Sequence, residues 1–113
     1  MTDQINQQRI AREFFGWRQS ANFSVFWRAP GDRGDVPTRR LPNLKTEVGA
    51  AVWAVLIKRE LTRRGLWFSV FTWEDGSVDF AVYRAGDNLT EKKGATELAA
   101  LTAAVLQLME SEK

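Results

Sequence analysis

The segment from Leu66 to Arg84 constrains the fold of this chain more than any other. It contains two apolar stretches typical of strands, 66–73 and 78–84, separated by Glu-Asp-Gly-Ser. Asp-Gly between two such stretches is a strong hairpin signal. A two-residue turn would place Trp67 on the same face as Phe80, whereas a three-residue loop would change this cross-strand relationship.

Both faces of the first strand of this hairpin are apolar whichever turn forms. Trp67 and Phe71 lie on one face, and Phe68 and Val70 lie on the other. An antiparallel sheet with one solvated face alternates apolar and polar residues instead. We therefore expect the sheet to be covered on both faces.

Three helices are predicted around the hairpin, at Ile5–Phe15, Thr46–Arg64 and Ala95–Glu110. Thr46 and Thr96 are suitable N-caps for the second and third helices. The middle of the second helix, Ala50–Ile57, is apolar on all sides. A helix of this kind is deeply buried or contacts a second subunit, so we expect a homo-oligomer.

The rest of the chain completes an α+β fold. Phe23–Arg28 is typical of a strand, residues 29–45 form a long loop with all three prolines, and Ala85–Lys93 is polar and turn-like. The order is helix, strand, loop, helix, strand, strand, helix. It predicts a three-layer α/β/α sandwich on a small, mainly antiparallel sheet of three or four strands, folded as a single domain over residues 1–113.

The composition excludes several kinds of site. The 113 residues include no His and no Cys, so the chain has no disulfide, no Cys/His zinc site, no thiol nucleophile and no Ser-His-Asp triad. Glu74 and Asp75 lie near Asp79, but the hairpin turn requires the first two. We therefore expect no enzyme, no metal and no cofactor.

Charge is divided unevenly along the chain. Residues 1–73 contain 12 Lys and Arg against 6 Asp and Glu, whereas residues 74–113 contain 4 against 8. This distribution predicts a polarised surface with one side that attracts anions. Because residues 1–8 are polar and no apolar run is long enough to span a bilayer, we expect a cytoplasmic protein with no membrane contact.

The loop at 29–45 supplies the candidate ligand-binding residues. Arginine forks suit phosphates and carboxylates, and a nearby tryptophan ring could stack on a base. The predicted site comprises Trp27, Arg28, Arg33, Arg39, Arg40 and Lys45. The alternative is a solvated loop whose arginines pair with Asp32 and Asp35.

Three segments of the chain resemble a known family, the phage ABA sandwich domain. The first is Phe-Phe-Gly-Trp at 14–17, followed by the strand bearing Trp27. The second is Leu-Pro-Asn-Leu at 41–44, which enters the Ala/Trp/Val-rich helix at 50–61. The third is the Ala-Thr-Glu-Leu-Ala helix that runs over 95–108. These are core and capping residues, so the resemblance implies a fold and an origin but no site residue.

The resemblance implies a small phage or prophage protein that acts by stoichiometric binding. Our prediction is counter-defence in the host cytoplasm, by sequestering an anionic nucleotide-type signal or by blocking a host defence protein. The basic half and the many aromatic residues leave a nucleic-acid-binding accessory protein as an alternative. A component of virion assembly is a further alternative.

Overall fold

The computed structural model describes residues 2–34 and 36–112. Its elements are α1 (Thr2–Arg9), which continues into a π-helical turn (Ile10–Phe14), β1 (Arg18–Gln19), β2 (Trp27–Arg28), α2 (Glu47–Arg63), β3 (Trp67–Thr72), β4 (Val78–Arg84), β5 (Asp87–Gly94) and α3 (Glu97–Ser111). The described chain is α+β, with one antiparallel sheet of β1 and β2 and another in the order β3-β4-β5. No helix within these ranges is long and apolar enough to cross a membrane.

The two long helices begin at the predicted caps. Thr46 Oγ1 accepts a hydrogen bond from Gly49 N at 3.0 Å, and Thr96 Oγ1 accepts one from Ala99 N at 3.1 Å. Each cap satisfies a backbone N–H that the first helical turn leaves without a partner. The predicted starts of α2 and α3 are therefore confirmed.

The hairpin of β3 and β4 forms with a three-residue loop. Trp73 N donates to Ser77 O at 2.8 Å, and Gly76 N donates to Trp73 O at 2.9 Å. Residues 74–76 lie between these bonds, and Gly76 adopts a φ of +86° that other residues reach only with strain. The prediction of a hairpin is confirmed, and the loop is the longer of the two alternatives.

This loop decides which side chains share a face. Phe68 lies opposite Val82, and Trp67 lies opposite Tyr83. The face that contains Trp67 therefore differs from the face that contains Phe80, which is fully buried. The pairing expected from a two-residue turn is wrong, because the extra loop residue reverses the relationship between the strands.

The prediction of a turn-like segment at Ala85–Lys93 is wrong, because most of it is strand β5. It pairs with β4 after a tight turn in which Ala85 and Gly86 have φ of +49° and +92°. Thr90 is its one buried residue in the described chain. A strand at a sheet edge with so few buried residues lacks the apolar alternation that identifies a strand.

The strand predicted at Phe23–Arg28 is shorter in the structure. Residues 20–26 form a turn, in which Phe26 N donates to Phe23 O at 3.0 Å, and only 27–28 are strand. Trp27 also exchanges backbone hydrogen bonds with Arg39 at 2.7 and 2.9 Å. The middle of the segment at 29–45 is therefore attached to the small sheet through Arg39.

The core lies between the helices and one face of the large sheet. Helix α3 packs against β4 and β5, and Thr90 Oγ1 bonds Gln107 Oε1 at 2.8 Å. The fully buried large side chains come from the π-helical turn, β2, α2, β4 and α3. They include Ile10, Phe14, Trp27, Trp53, Ile57, Leu61, Phe80, Leu101, Val105 and Leu108. Their burial ties α1, α2 and α3 to the same core.

The other face of the large sheet is open to solvent. Trp67 is 68% exposed and Phe71 is 56% exposed. The expected cover on both faces, and with it the three-layer arrangement, is therefore not confirmed. Parts of α2 are also exposed, so its apolar middle is not deeply buried within this chain. The other alternative, contact with a second subunit, stays a prediction.

Candidate anion-binding cleft

Three of the six predicted site residues are used by the protein itself. Arg28 donates from Nε to Gly34 O and from Nη2 to Asp32 O, both at 2.9 Å. Arg39 pairs with the carboxylate of Asp32. Trp27 is only 1% exposed, so it belongs to the core, although it also lies at the wall of the cleft described below.

Asp32 organises the loop at 29–34. Its Oδ2 accepts hydrogen bonds from Ala29 N at 2.8 Å and from Arg39 Nε at 2.7 Å. The Arg39 hydrogen bond and then the Ala29 N–H lower the pKa of Asp32 to about 2. The alternative of arginines paired with loop carboxylates is thus confirmed for Asp32, while Asp35 lies outside the described residues.

Two other predicted residues, Arg40 and Lys45, come together at a cleft. The cleft has a volume of about 610 Å³ and lies between α1 and the segment at 40–45. Its lining residues are Asp3, Gln4, Gln7, Gln8, Ser24, Val25, Trp27, Arg40, Leu41, Pro42, Asn43, Leu44 and Lys45. Arg33 is exposed and does not line this cleft.

The two walls of the cleft are joined by one long-range hydrogen bond. The buried side chain of Gln7 donates from Nε2 to Pro42 O at 2.8 Å. At the α2 end, Asn43 Oδ1 accepts from Lys45 N at 3.0 Å, and Asn43 O accepts from Thr46 Oγ1 at 2.9 Å. These bonds hold the backbone that carries Arg40 and Lys45 in a defined position.

The charge of the cleft is positive on one wall. Arg40 is exposed, and its guanidinium lies 5.2 Å from the centre of the Phe26 ring. Within the described ranges, neither Arg40 nor Lys45 forms an ion pair, and Asp3 is the one acidic residue in the lining. Two cations and the amides of Gln4 and Gln8 therefore face the same space.

A second surface escaped the sequence analysis, namely the open face of the large sheet. Phe71 and Trp73 make an edge contact with ring centres 4.8 Å apart. Trp73 Nε1 donates to Asp79 Oδ2 at 2.8 Å, and Lys93 Nζ lies 5.5 Å from the Trp73 ring. We define the open aromatic face as Trp67, Phe71 and Trp73. The length of the hairpin loop was the signal that could have revealed it.

Neither surface has the geometry of a metal site. In the part of the chain that the structure describes, no three acidic side chains come close enough together to hold a metal ion. Comparison of the chain with protein-family models, with curated protein sequences and with solved structures found no match.

Proposed function

We propose that the protein is a stoichiometric binder that captures an anionic, nucleotide-sized ligand in the cleft between α1 and residues 40–45. The observation that carries this proposal is the pair of cations, Arg40 and Lys45, which have no carboxylate partner in the described chain. The volume of about 610 Å³ is in the range of ligand pockets in proteins. Arg40 would form a two-pronged contact with a phosphate, and Lys45 would add a second charge.

The amide side chains supply a means of selecting the ligand. Gln4 and Gln8 lie one turn apart on α1, and both line the cleft. An amide offers a donor and an acceptor together, which matches the edge of a nucleobase. Asp3 would disfavour a highly charged ligand, so a mononucleotide or cyclic nucleotide fits this wall better than an oligonucleotide.

This binding activity fits the role that the phage-type resemblance implies. A small cytoplasmic protein that holds a nucleotide signal would act in counter-defence by lowering the free concentration of the signal. The proposal includes no catalytic step. The three-layer α/β/α arrangement also stays a prediction, made from the order of the elements.

Isothermal titration calorimetry with mono-, di- and cyclic nucleotides and NAD-derived metabolites tests this proposal. We expect one of these compounds to bind, and Arg40→Gln and Lys45→Gln each to weaken binding by about tenfold or more. Arg33→Gln is the matched control, since it removes an exposed loop arginine outside the cleft. Binding of none of the panel, or equal weakening by Arg33→Gln, would contradict the proposal.

The open aromatic face favours a second function, the binding of single-stranded nucleic acid. Exposed aromatic rings on a sheet can stack on successive bases. Asp79 and Glu91 lie on the same face with one cation, Lys93, so this face has a net negative charge that repels a phosphate backbone. We therefore rank this function second. Its test is the fluorescence anisotropy of labelled DNA and RNA oligonucleotides, with Trp67→Ala compared with Phe23→Ala. Affinity that falls with salt and is lost only in Trp67→Ala would support it.

A further inference from the structure

One edge of the large sheet is left without the features that prevent strand pairing. β3 is bonded to β4 on one side, and no other described strand lies on its outer side. Its residues, Trp67–Thr72, include no charge and no proline. β5, at the opposite edge, contains Asp87, Glu91, Lys92 and Lys93. Charges on an edge strand discourage pairing with another chain, so β5 is protected and β3 is available.

Helix α2 has an exposed stripe of residues that ends near the start of β3. Val48 is 75% exposed and Val55 is 45% exposed. Val48, Val55 and Thr62 are each seven residues apart, so they lie on the same face of α2. Thr62 lines a small surface cleft together with Trp67 and Phe68 at the start of β3. The end of the exposed stripe therefore adjoins the start of β3.

The charges near the two ends of β3 are self-complementary. Arg59, Arg63 and Arg64 lie at the end of α2, just before β3 begins. Glu60 pairs with Arg63 and Arg64, and Glu112 pairs with Arg64, whereas Arg59 forms no ion pair within the described ranges, so this end keeps a net positive charge. Glu74 and Asp75 lie just beyond the other end of β3, after Trp73. When two copies of such a strand pair in antiparallel orientation, the basic end of one lies near the acidic end of the other. A second copy of this chain therefore fits the edge better than a strand with a single sign of charge at both ends.

We propose that two copies associate through antiparallel pairing of β3 with β3, which makes one six-stranded sheet. Opposite residues in antiparallel strands share a face, so only alternate registers are allowed. A two-fold axis at Val70 places Val70 opposite the partner's Val70, and Trp67 opposite the partner's Trp73. The same axis brings the exposed valine stripes of the two α2 helices together, which removes both apolar surfaces from water.

This inference is independent of the ligand cleft. It gives the homo-oligomer expected from the apolar middle of α2 a specific interface, which also includes the edge of β3. The open aromatic face is not used by the pairing. It becomes twice as wide, because the two copies of Trp67, Phe71 and Trp73 lie on the same face of the joined sheet.

Sedimentation velocity over a wide range of protein concentrations tests the dimer. We expect a species of twice the 12.9 kDa monomer mass. Val55→Lys and Val70→Lys each place a charge in the interface and should raise the dimer dissociation constant by about tenfold or more. Val36→Lys is the matched control, because Val36 is an exposed valine in the loop at 29–45 and belongs to neither β3 nor α2. Because Val55→Lys alters only an exposed helix position, we expect this variant to fold. Circular dichroism checks that it does.

Oxidative cross-linking tests the position of the two-fold axis. The chain has no cysteine, so Val70→Cys introduces one thiol per copy. Opposite residues in paired strands lie within the distance that a disulfide requires. We expect rapid formation of a covalent dimer by Val70→Cys and little by Val36→Cys. A monomer at all concentrations, a dimer insensitive to both lysine variants, or equal cross-linking of the two cysteine variants would overturn the proposal.

Discussion

The guanidinium of Arg39 donates two hydrogen bonds to the carboxylate of Asp32, from Nε to Oδ2 at 2.7 Å and from Nη2 to Oδ1 at 2.6 Å. Arg39 is also bonded through its backbone to Trp27. Asp32 thereby connects the strand at 27–28 to a residue far along the loop. This pair explains why a proline-rich segment without regular structure has a defined course.

The first prediction concerns acid. The pKa of Asp32 is lowered from 3.8 to about 2, so the stabilisation that it provides is complete above about pH 4 and is lost as the pH falls through about 2. Asp32→Asn removes the charge at every pH. We expect the variant to unfold at lower urea concentration than wild type at neutral pH, with a difference that shrinks towards pH 2. A difference independent of pH would show that the ion pair does not stabilise the fold.

The second prediction concerns the helix caps. Thr46→Ala and Thr96→Ala each remove the acceptor of a backbone N–H and should lower the free energy of unfolding by about 1 kcal/mol. Thr62→Ala is the matched control, since Thr62 Oγ1 donates to Lys58 O inside α2, where alanine favours the helix. Urea unfolding followed by circular dichroism measures all three variants. Equal losses in the three would contradict the capping role.

The third prediction compares two tryptophans. Trp53 is fully buried and makes an edge contact with Phe15 at 5.0 Å, whereas Trp67 is largely exposed. Trp53→Ala should cost about 3–5 kcal/mol because it leaves a cavity in the core. Trp67→Ala should change stability by less than about 0.5 kcal/mol when measured on the monomer. A large loss in Trp67→Ala at low protein concentration would mean that this face of the sheet is covered.

The fourth prediction concerns Gly49 in the first turn of α2. Alanine normally stabilises a helix relative to glycine by up to about 1 kcal/mol. Here an added Cβ would lie 1.9 Å from Asn43 O and 2.6 Å from Asn43 C, so the turn that carries Lys45 would have to move. We expect Gly49→Ala to lower the melting temperature and to weaken ligand binding in the cleft.

The control for this prediction is Val48→Ala, measured like Gly49→Ala at protein concentrations at which the chain is monomeric. Val48 is the preceding residue and is exposed, so its truncation leaves the contact with Asn43 intact. Thermal unfolding and the calorimetric titration described above are the two measurements. A stabilised Gly49→Ala protein would show that the turn at 43–46 tolerates the displacement.

By itself, the sequence determined the features that depend on neighbouring residues. The starts of α2 and α3 follow from Thr46 and Thr96, because a cap acts within three residues. The hairpin follows from two apolar stretches around Asp75 and Gly76. These interactions are local, so composition and spacing contain the necessary information.

The tertiary structure alone decided the features that depend on residues far apart. Arg28 and Arg39 form hydrogen bonds within the loop, and Trp27 is buried. Arg40 and Lys45 instead lie at a cleft. A hydrogen bond between Gln7 and Pro42, 35 positions apart in sequence, joins the walls of this cleft. Similar arginines have different surroundings because their partners are brought near by folding, not by sequence distance.

The same reason applies to the sheet. One additional loop residue exposed Trp67 and Phe71 and buried Phe80, although the strands have the same composition in either register. Strand β5 was not predicted because its stability comes from pairing with β4. The sequence of a polar segment contains no pattern that indicates such pairing. Local preference selects the elements of this protein, but cross-strand pairing and burial decide which of their side chains face solvent.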